Sequence, residues 1–304
     1  MFSSKTKGRF LKKDRDEEGV ASTVGTIMAL LVFLTFLTLF TNSYVPVWMT
    51  DNERTHMNAA MDQFGTLKGK IDEMVVMAEV TGQTNVNFYA PITLGANGIP
   101  VFASPTAGQL IYAPYGQGSS SIKVNFTYDF NGKTKWMNNL GGGMVQLYSP
   151  NRYYVEQHIC YENGAIIVGQ PDGQVVRAIP SLDISKPLSS SFLNVSWTQI
   201  DFIGTNTSVT GTSTAGLNLD LIYFDSQTYN NASRPTNITL TINTLYGQAW
   251  YSYLNSYLSS VTNVKHSDYW VQHNASYTTV TLRLNNTLQF TQNKAIMQLT
   301  LGLT

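Results

Sequence analysis

The sequence predicts an α+β protein: a long N-terminal apolar helix, kinked near Pro46, followed by a mainly antiparallel β region that carries one packed helix. Three observations predict it. No charged residue occurs from Val20 to Thr50; apolar residues then recur at steps of three and four as far as residue 80; and beyond Val80 the alternation falls to a period of two, punctuated by Asn-Gly and Asp-Gly. These are the periods of one helix side and of a half-buried strand.

The first element, Val20 to Tyr44, is dominated by Leu, Val, Phe, Ile, Met and Thr. At ~1.5 Å per residue it reaches ~37 Å as a helix, enough to span a bilayer with some tilt. Lys5, Lys7, Arg9, Lys12, Lys13 and Arg15 precede it, and Tyr44 and Trp48 stand at its far end, where aromatic side chains mark a membrane interface. This arrangement places the N-terminus in the cytoplasm and the rest outside. A secretory signal peptide fits poorly, because the apolar run is long and no small-residue cleavage site follows it. A plain membrane anchor passes that test.

Pro46 lacks an N–H and clashes with the preceding turn, so a kink or local melting is expected between Asn42 and Pro46. Helical spacing resumes beyond it: Met57, Met61, Phe64, Leu67, Ile71, Met74 and Ala78 fall on one face, with Asp62, Lys68, Asp72 and Glu79 on the others. Such a stripe packs on the protein's own sheet or on a neighbouring helix, and the pattern leaves both open. The two segments together make a helix of ~60 residues and ~90 Å, longer than an anchor requires.

In the β region, Ile122, Val124, Phe126 and Tyr128 alternate up to an Asn131-Gly132 turn, with a return strand from Lys133. A meander follows: Val155 to Tyr161, a turn at Asn163-Gly164, Ala165 to Val168, a turn at Pro171-Asp172-Gly173, then Val175 to Ile179. Ser181 to Ser191, with Pro187, reads as a linker or long loop. Leu217, Leu219 and Leu221 and then Ile238, Leu240 and Ile242 alternate, and Trp250, Tyr253, Leu254, Tyr257, Leu258 and Val261 mark a helix side. The chain closes with Val280, Leu282 and Leu284, a turn at Asn285-Asn286, then Leu288 and Phe290, and finally a last strand with Met297, Leu299, Leu301 and Leu303. A strand so apolar at the chain's end belongs in the middle of a sheet or under a neighbour.

Composition narrows the function. Net charge is +0, charged residues make up 12%, and the basic residues crowd into the leader, so no basic face for nucleic acid is present. A polar surface built from Asn, Ser, Thr and Tyr suits an extracellular protein better than a cytoplasmic enzyme. Cys160 is the single cysteine, which excludes an internal disulfide, and it reads as a buried structural thiol. His56, His158, His266 and His273 lack metal-ligand spacing; Gly141-Gly142-Gly143 lacks the residues of a phosphate loop and reads as a flexible hairpin approach. No catalytic residue, metal or cofactor is assigned. Glycosylation sequons stand at Asn125, Asn194, Asn206, Asn231, Asn237, Asn274 and Asn285.

Glu18-Gly19-Val20-Ala21 places a charge and a glycine directly before the apolar run, and Val20 to Met28 reads Val-Ala-Ser-Thr-Val-Gly-Thr-Ile-Met. Over roughly residues 10 to 80 the chain resembles the archaeal type IV pilin and archaellin superfamily. It departs from that pattern by an inserted Ala21 and lacks the early helix glutamate of bacterial pilins. The resemblance implies a leader, residues 1–19, removed by a prepilin peptidase between Gly19 and Val20, and a helix, residues 20–80, that forms a filament core. It also implies a membrane-held precursor, an assembly ATPase and platform protein as partners, other copies of the chain as filament neighbours, and surface adhesion as a use. The β region would divide into residues 81–185 and 186–304, the second part being a possible separate domain. The alternative is a single-pass surface binding protein that never polymerises.

Overall fold

The computed structural model describes residues 8–130, 133–230 and 236–303. Its first element is one α-helix, α1 (Gly8–Thr81), with Pro46 inside it. Of the kink or local melting expected between Asn42 and Pro46, the melting does not occur: the helix runs through without a break. Phe40, Tyr44 and Trp48 stack across the affected turn, with ring centroids 5.5–6.3 Å apart, and Thr50 Oγ1 donates to the Pro46 carbonyl at 2.8 Å. From Val45 onward the helix also rests on the β region, so side-chain packing holds the turn where a backbone bond is missing.

The strands follow as β1 (Asn87–Thr93), β2 (Gly108–Pro114), β3 (Ser121–Phe130), β4 (Lys133–Gly141), β5 (Gly143–Ser149), β6 (Gln157–Glu162), β7 (Ala165–Gln170), β8 (Gly173–Ala178), β9 (Leu182–Ser185), β10 (Leu193–Ile203), β11 (Thr207–Gly211), β12 (Thr214–Asn230) and β13 (Thr236–Asn243). Helix α2 (Gly247–Ser260), β14 (Tyr269–His273) and β15 (Thr279–Leu303) complete them. They form two sheets. One follows the order β1-β12-β15-β13-β3-β4, with β10, β9 and β14 attached; the other follows β11-β2-β5-β6-β7-β8. Strands from both sides of residue 185 enter each sheet. Every pairing is antiparallel except β10 with β15.

The α+β class and the hairpins stand as the sequence predicts. Asn163 and Gly164 both take positive φ, 48° and 80°, and Glu162 faces Ala165 across them, as a two-residue turn matched to strand twist requires. Asn131-Gly132 lies outside the described residues, but Phe130 pairs with Lys133 on either side of it. Other expectations need correction. The 181–191 stretch contains β9, which pairs with β10 through Leu182 and Ile184. The first meander strand begins only at Gln157, and α2 ends before Val261, whose backbone is extended.

The turn expected at Asn285-Asn286 does not form. β15 runs through Asn285-Asn286 as one strand, with Asn286 at φ 54° and a register shift against β13 between Thr236 and Ile238. The asparagine pair makes a bulge instead. β12 and β10 hold β15 beyond it, β13 and β14 before it, so the terminal strand is central.

Gly141-Gly142-Gly143 is no hairpin approach either; it carries the chain from β4 in one sheet to β5 in the other. Gly142 N donates to Asp201 Oδ1 at 2.8 Å, and a Cβ on Gly141 would fall 1.7 Å from that oxygen, so only glycine permits the crossing. Two cores result. Met57, Phe64, Leu67, Ile71 and Met74 of α1 fill one between the sheets; Trp197, Trp250, Leu254 and Phe290 centre the other.

Candidate functional site: an uncovered apolar arm

The stripe read from the sequence lies against the protein's own strands. Met57, Phe64, Leu67, Ile71, Met74 and Ala78 are buried and Met61 is half-buried against β1, β6, β7 and β12. N-terminal to Val45 the helix meets almost nothing. Val20, Val24, Ile27, Met28, Leu30, Leu31, Val32, Phe33, Leu34, Phe36 and Leu39 are all exposed, and they surround the helix instead of marking one side. The helix from Gly19 is long and apolar enough to cross a membrane, and its most apolar window is wholly uncovered.

The arm's threonine hydroxyls are satisfied within the helix. Thr23, Thr26, Thr35, Thr38 and Thr41 each donate a hydroxyl hydrogen bond to the carbonyl four residues earlier, at 2.7–2.9 Å. These threonines carry no unmet hydroxyl donor into lipid or a dry helix bundle. Ala21, Gly25 and Ala29, four apart, leave a shallow face on which another helix backbone can approach. Farther along, Gly65 and Gly69 are exposed on the outer side of α1, with open space where a side chain would be. Two glycines mid-helix cost about 1 kcal/mol each relative to alanine.

A polar collar joins the arm to the β region. Glu53 is fully buried, and its carboxylate accepts hydrogen bonds from Thr106 Oγ1 at 2.6 Å and from the backbone N–H groups of Arg152, Tyr153 and Tyr154 at 3.0, 2.8 and 2.7 Å. Burial alone would raise its pKa; the four donors outweigh that and hold it below the ordinary carboxylate value. His56 Nε2 lies 3.0 Å from the Thr93 carbonyl, and burial keeps its pKa below the usual imidazole value. Gln63 exchanges two hydrogen bonds with Thr93. The loop after β5 and both ends of the β1–β2 connection are thereby fixed to α1.

Sequence reasoning missed this collar. Its signal was present: Met49, Glu53, Met57, Ala60 and Phe64 share one helix face, so a carboxylate interrupts an apolar stripe.

The other predicted positions scatter. Gly19 and Val20 lie in the helix at the arm's start, with nothing packed over them. Asn206 and Asn237 are exposed, as is Asn274, while Asn125, Asn194 and Asn285 are half-buried, and Asn231 lies outside the described residues. Asn206, Asn274 and Asn285 already commit their side-chain amides to the carbonyl of Gln117, to Ser276 and Thr278, and to the carbonyl of Ser267. Cys160 is buried beside Glu162, and burial pushes its thiol well above the ordinary value. His158 stacks on Tyr148 and contacts Gln146. Among the described residues no group of His, Cys, Asp and Glu gathers in a metal-binding arrangement.

The architecture, an apolar N-terminal helix leading into a β region, is compatible with a pilin-like layout. No known protein family, curated protein or solved structure matches the chain.

Proposed function

We propose that the chain is a structural subunit, a pilin, of an extracellular archaeal type IV pilus-like filament, stored in the cytoplasmic membrane and assembled through its N-terminal helix. One observation carries the reading: within a single helix the stripe beyond Val45 is satisfied by the chain's own strands, while the arm from Val20 to Leu39 is apolar all round and lies almost wholly uncovered. A helix apolar on every side is stable only when surrounded. Lipid surrounds it in the precursor, and like helices surround it in the fibre.

Exchange between those environments needs close packing, which the Ala21-Gly25-Ala29 face and the exposed Gly65 and Gly69 favour. In a filament standing in water, each fully buried Leu, Val or Phe contributes about 1.5–3 kcal/mol, so release of a subunit is very costly. The leader up to Gly19 would be removed by a prepilin peptidase, and an assembly ATPase with its platform protein would drive insertion. The β region would form the sheath, presenting Tyr, Asn, Ser, Thr and sugars for adhesion. No enzymatic role is assigned to it.

Mass spectrometry of the native protein tests the processing step. An N-terminus at Val20 supports the filament reading, whereas an intact Met1 supports the single-pass binding protein. Gly19→Asp gives a second test: normal fibres from that variant contradict the proposed cleavage.

A further inference from the structure

The connection between β1 and β2 reaches along the arm. Its base is tied at the collar, where Asn97 accepts a hydrogen bond from Asn52 and Thr106 donates to Glu53. Two bridges, Ala96 to Thr106 and Ile99 to Ala103, make it a narrow finger. At its tip, the Phe102 ring lies 5.2 Å from Phe40. From Asn52 back to Phe40 is twelve residues, ~18 Å along the helix. The finger therefore points down α1 toward the arm.

Its tip is unusual for a surface loop. Residues 97–105 carry no charge. Val101 is 101% exposed and sits at φ 71°, a conformation that a β-branched residue adopts only under strain, between Pro100 and the exposed Phe102. A loop made for water would place Gly or Asn there.

The height of the tip identifies its surroundings. Val20 to Phe40 is twenty residues, ~30 Å of helix, the thickness of a bilayer's hydrocarbon core. With Val20 at the inner boundary, Phe40 and Phe102 arrive at the outer one. Tyr44 and Trp48 follow ~6 and ~12 Å higher, in the headgroup layer where such side chains concentrate. Four aromatic rings thus straddle the outer boundary, Phe40 and Phe102 at its apolar edge and Tyr44 and Trp48, with polar atoms suited to water, above them. We propose that the finger tip Pro100-Val101-Phe102 inserts into the outer interface of the lipid bilayer beside α1, fixing the height and tilt of the β region above the membrane. The inference rests on the arm crossing a bilayer, which the filament and anchor readings share, so it can fail while either stands.

Spin labelling tests it. The full chain carrying Val101→Cys is labelled, reconstituted in phosphatidylcholine vesicles dilute enough to hold single copies, and compared with Leu188→Cys, a 92% exposed site on the loop between β9 and β10. Cys160 is buried and stays unlabelled in the folded chain, which the unsubstituted protein verifies. Cysteine at position 101 adds no strain beyond that already borne by valine. Collision with oxygen relative to a water-soluble nickel chelate is expected to be several-fold higher at 101 than at 188. Equal accessibility to nickel at both sites overturns the proposal. So does protection of the 101 label that develops only in assembled fibres, which would assign the tip to a second copy.

Discussion

Between Met57 and Ala78, α1 places its apolar side chains three and four apart and loses them to a core; between Val20 and Leu39 it places them on every side and leaves nearly all of them bare. The two halves share one backbone and one helix type, so propensity does not separate them. What separates them is the number of surfaces each needs. A single stripe is completed by one partner, here the strands that follow in the chain. A full circumference is completed only by an enclosing medium, lipid or several helices. The contrast implies that the β region completes its core with the Met57–Ala78 half of α1, whereas the arm's surface is left for lipid or other helices to cover.

The strongest test of the contrast is truncation on each side. Phe64→Ala, in the embedded half, is expected to cost about 3–5 kcal/mol of unfolding free energy, read by urea denaturation of the full chain in detergent. Loss of the Glu53 carboxylate comes next. Glu53→Ala leaves three backbone N–H groups without their acceptor, and about 3 kcal/mol is expected, with release of the 150–154 loop visible as faster amide exchange.

A pH titration separates the collar from the second core. Glu53 has a depressed pKa, so its contribution is present above the unfolded value near 4.5 and is lost as pH falls through the folded value. Glu162 behaves oppositely. It is fully buried between Thr244 and Trp250, which donate to it at 3.0 and 2.9 Å, and burial raises its pKa to about 7. The native state therefore binds its proton more tightly, and the stability it contributes is full below about pH 4.5 and falls as pH rises through about 7, by on the order of 3 kcal/mol. Glu162→Gln should flatten that neutral limb and leave the acid limb in place. The smallest effect belongs to the arm: Leu31→Ala should change detergent-phase stability by no more than about 0.5 kcal/mol while weakening fibres.

Much of this was legible in the residues because it is local. The Met57 to Ala78 stripe repeats at helical spacing, and Asn163-Gly164 names its own turn type. Asn285-Asn286 was legible in part: asparagine tolerates the left-handed backbone, and Asn286 adopts it. Whether that conformation turns a chain or bulges it depends on partners. β12, β10 and β13 lie tens of residues away in sequence, and they keep β15 straight. Glu53 was likewise legible in part: its place in an apolar stripe is local, but its acceptor role depends on N–H groups about a hundred residues later. Pro46 shows the converse: of the kink or melting it allows, the melting is prevented, with Phe40, Tyr44 and Trp48 stacking around it and the β region against Val45.

Electron microscopy of native cell-surface material bearing this chain tests the central claim most directly. The account predicts fibres whose axis is a bundle of the Val20–Tyr44 helices, with the β regions outside. Chains found singly in the membrane, never joined through that segment, would contradict it.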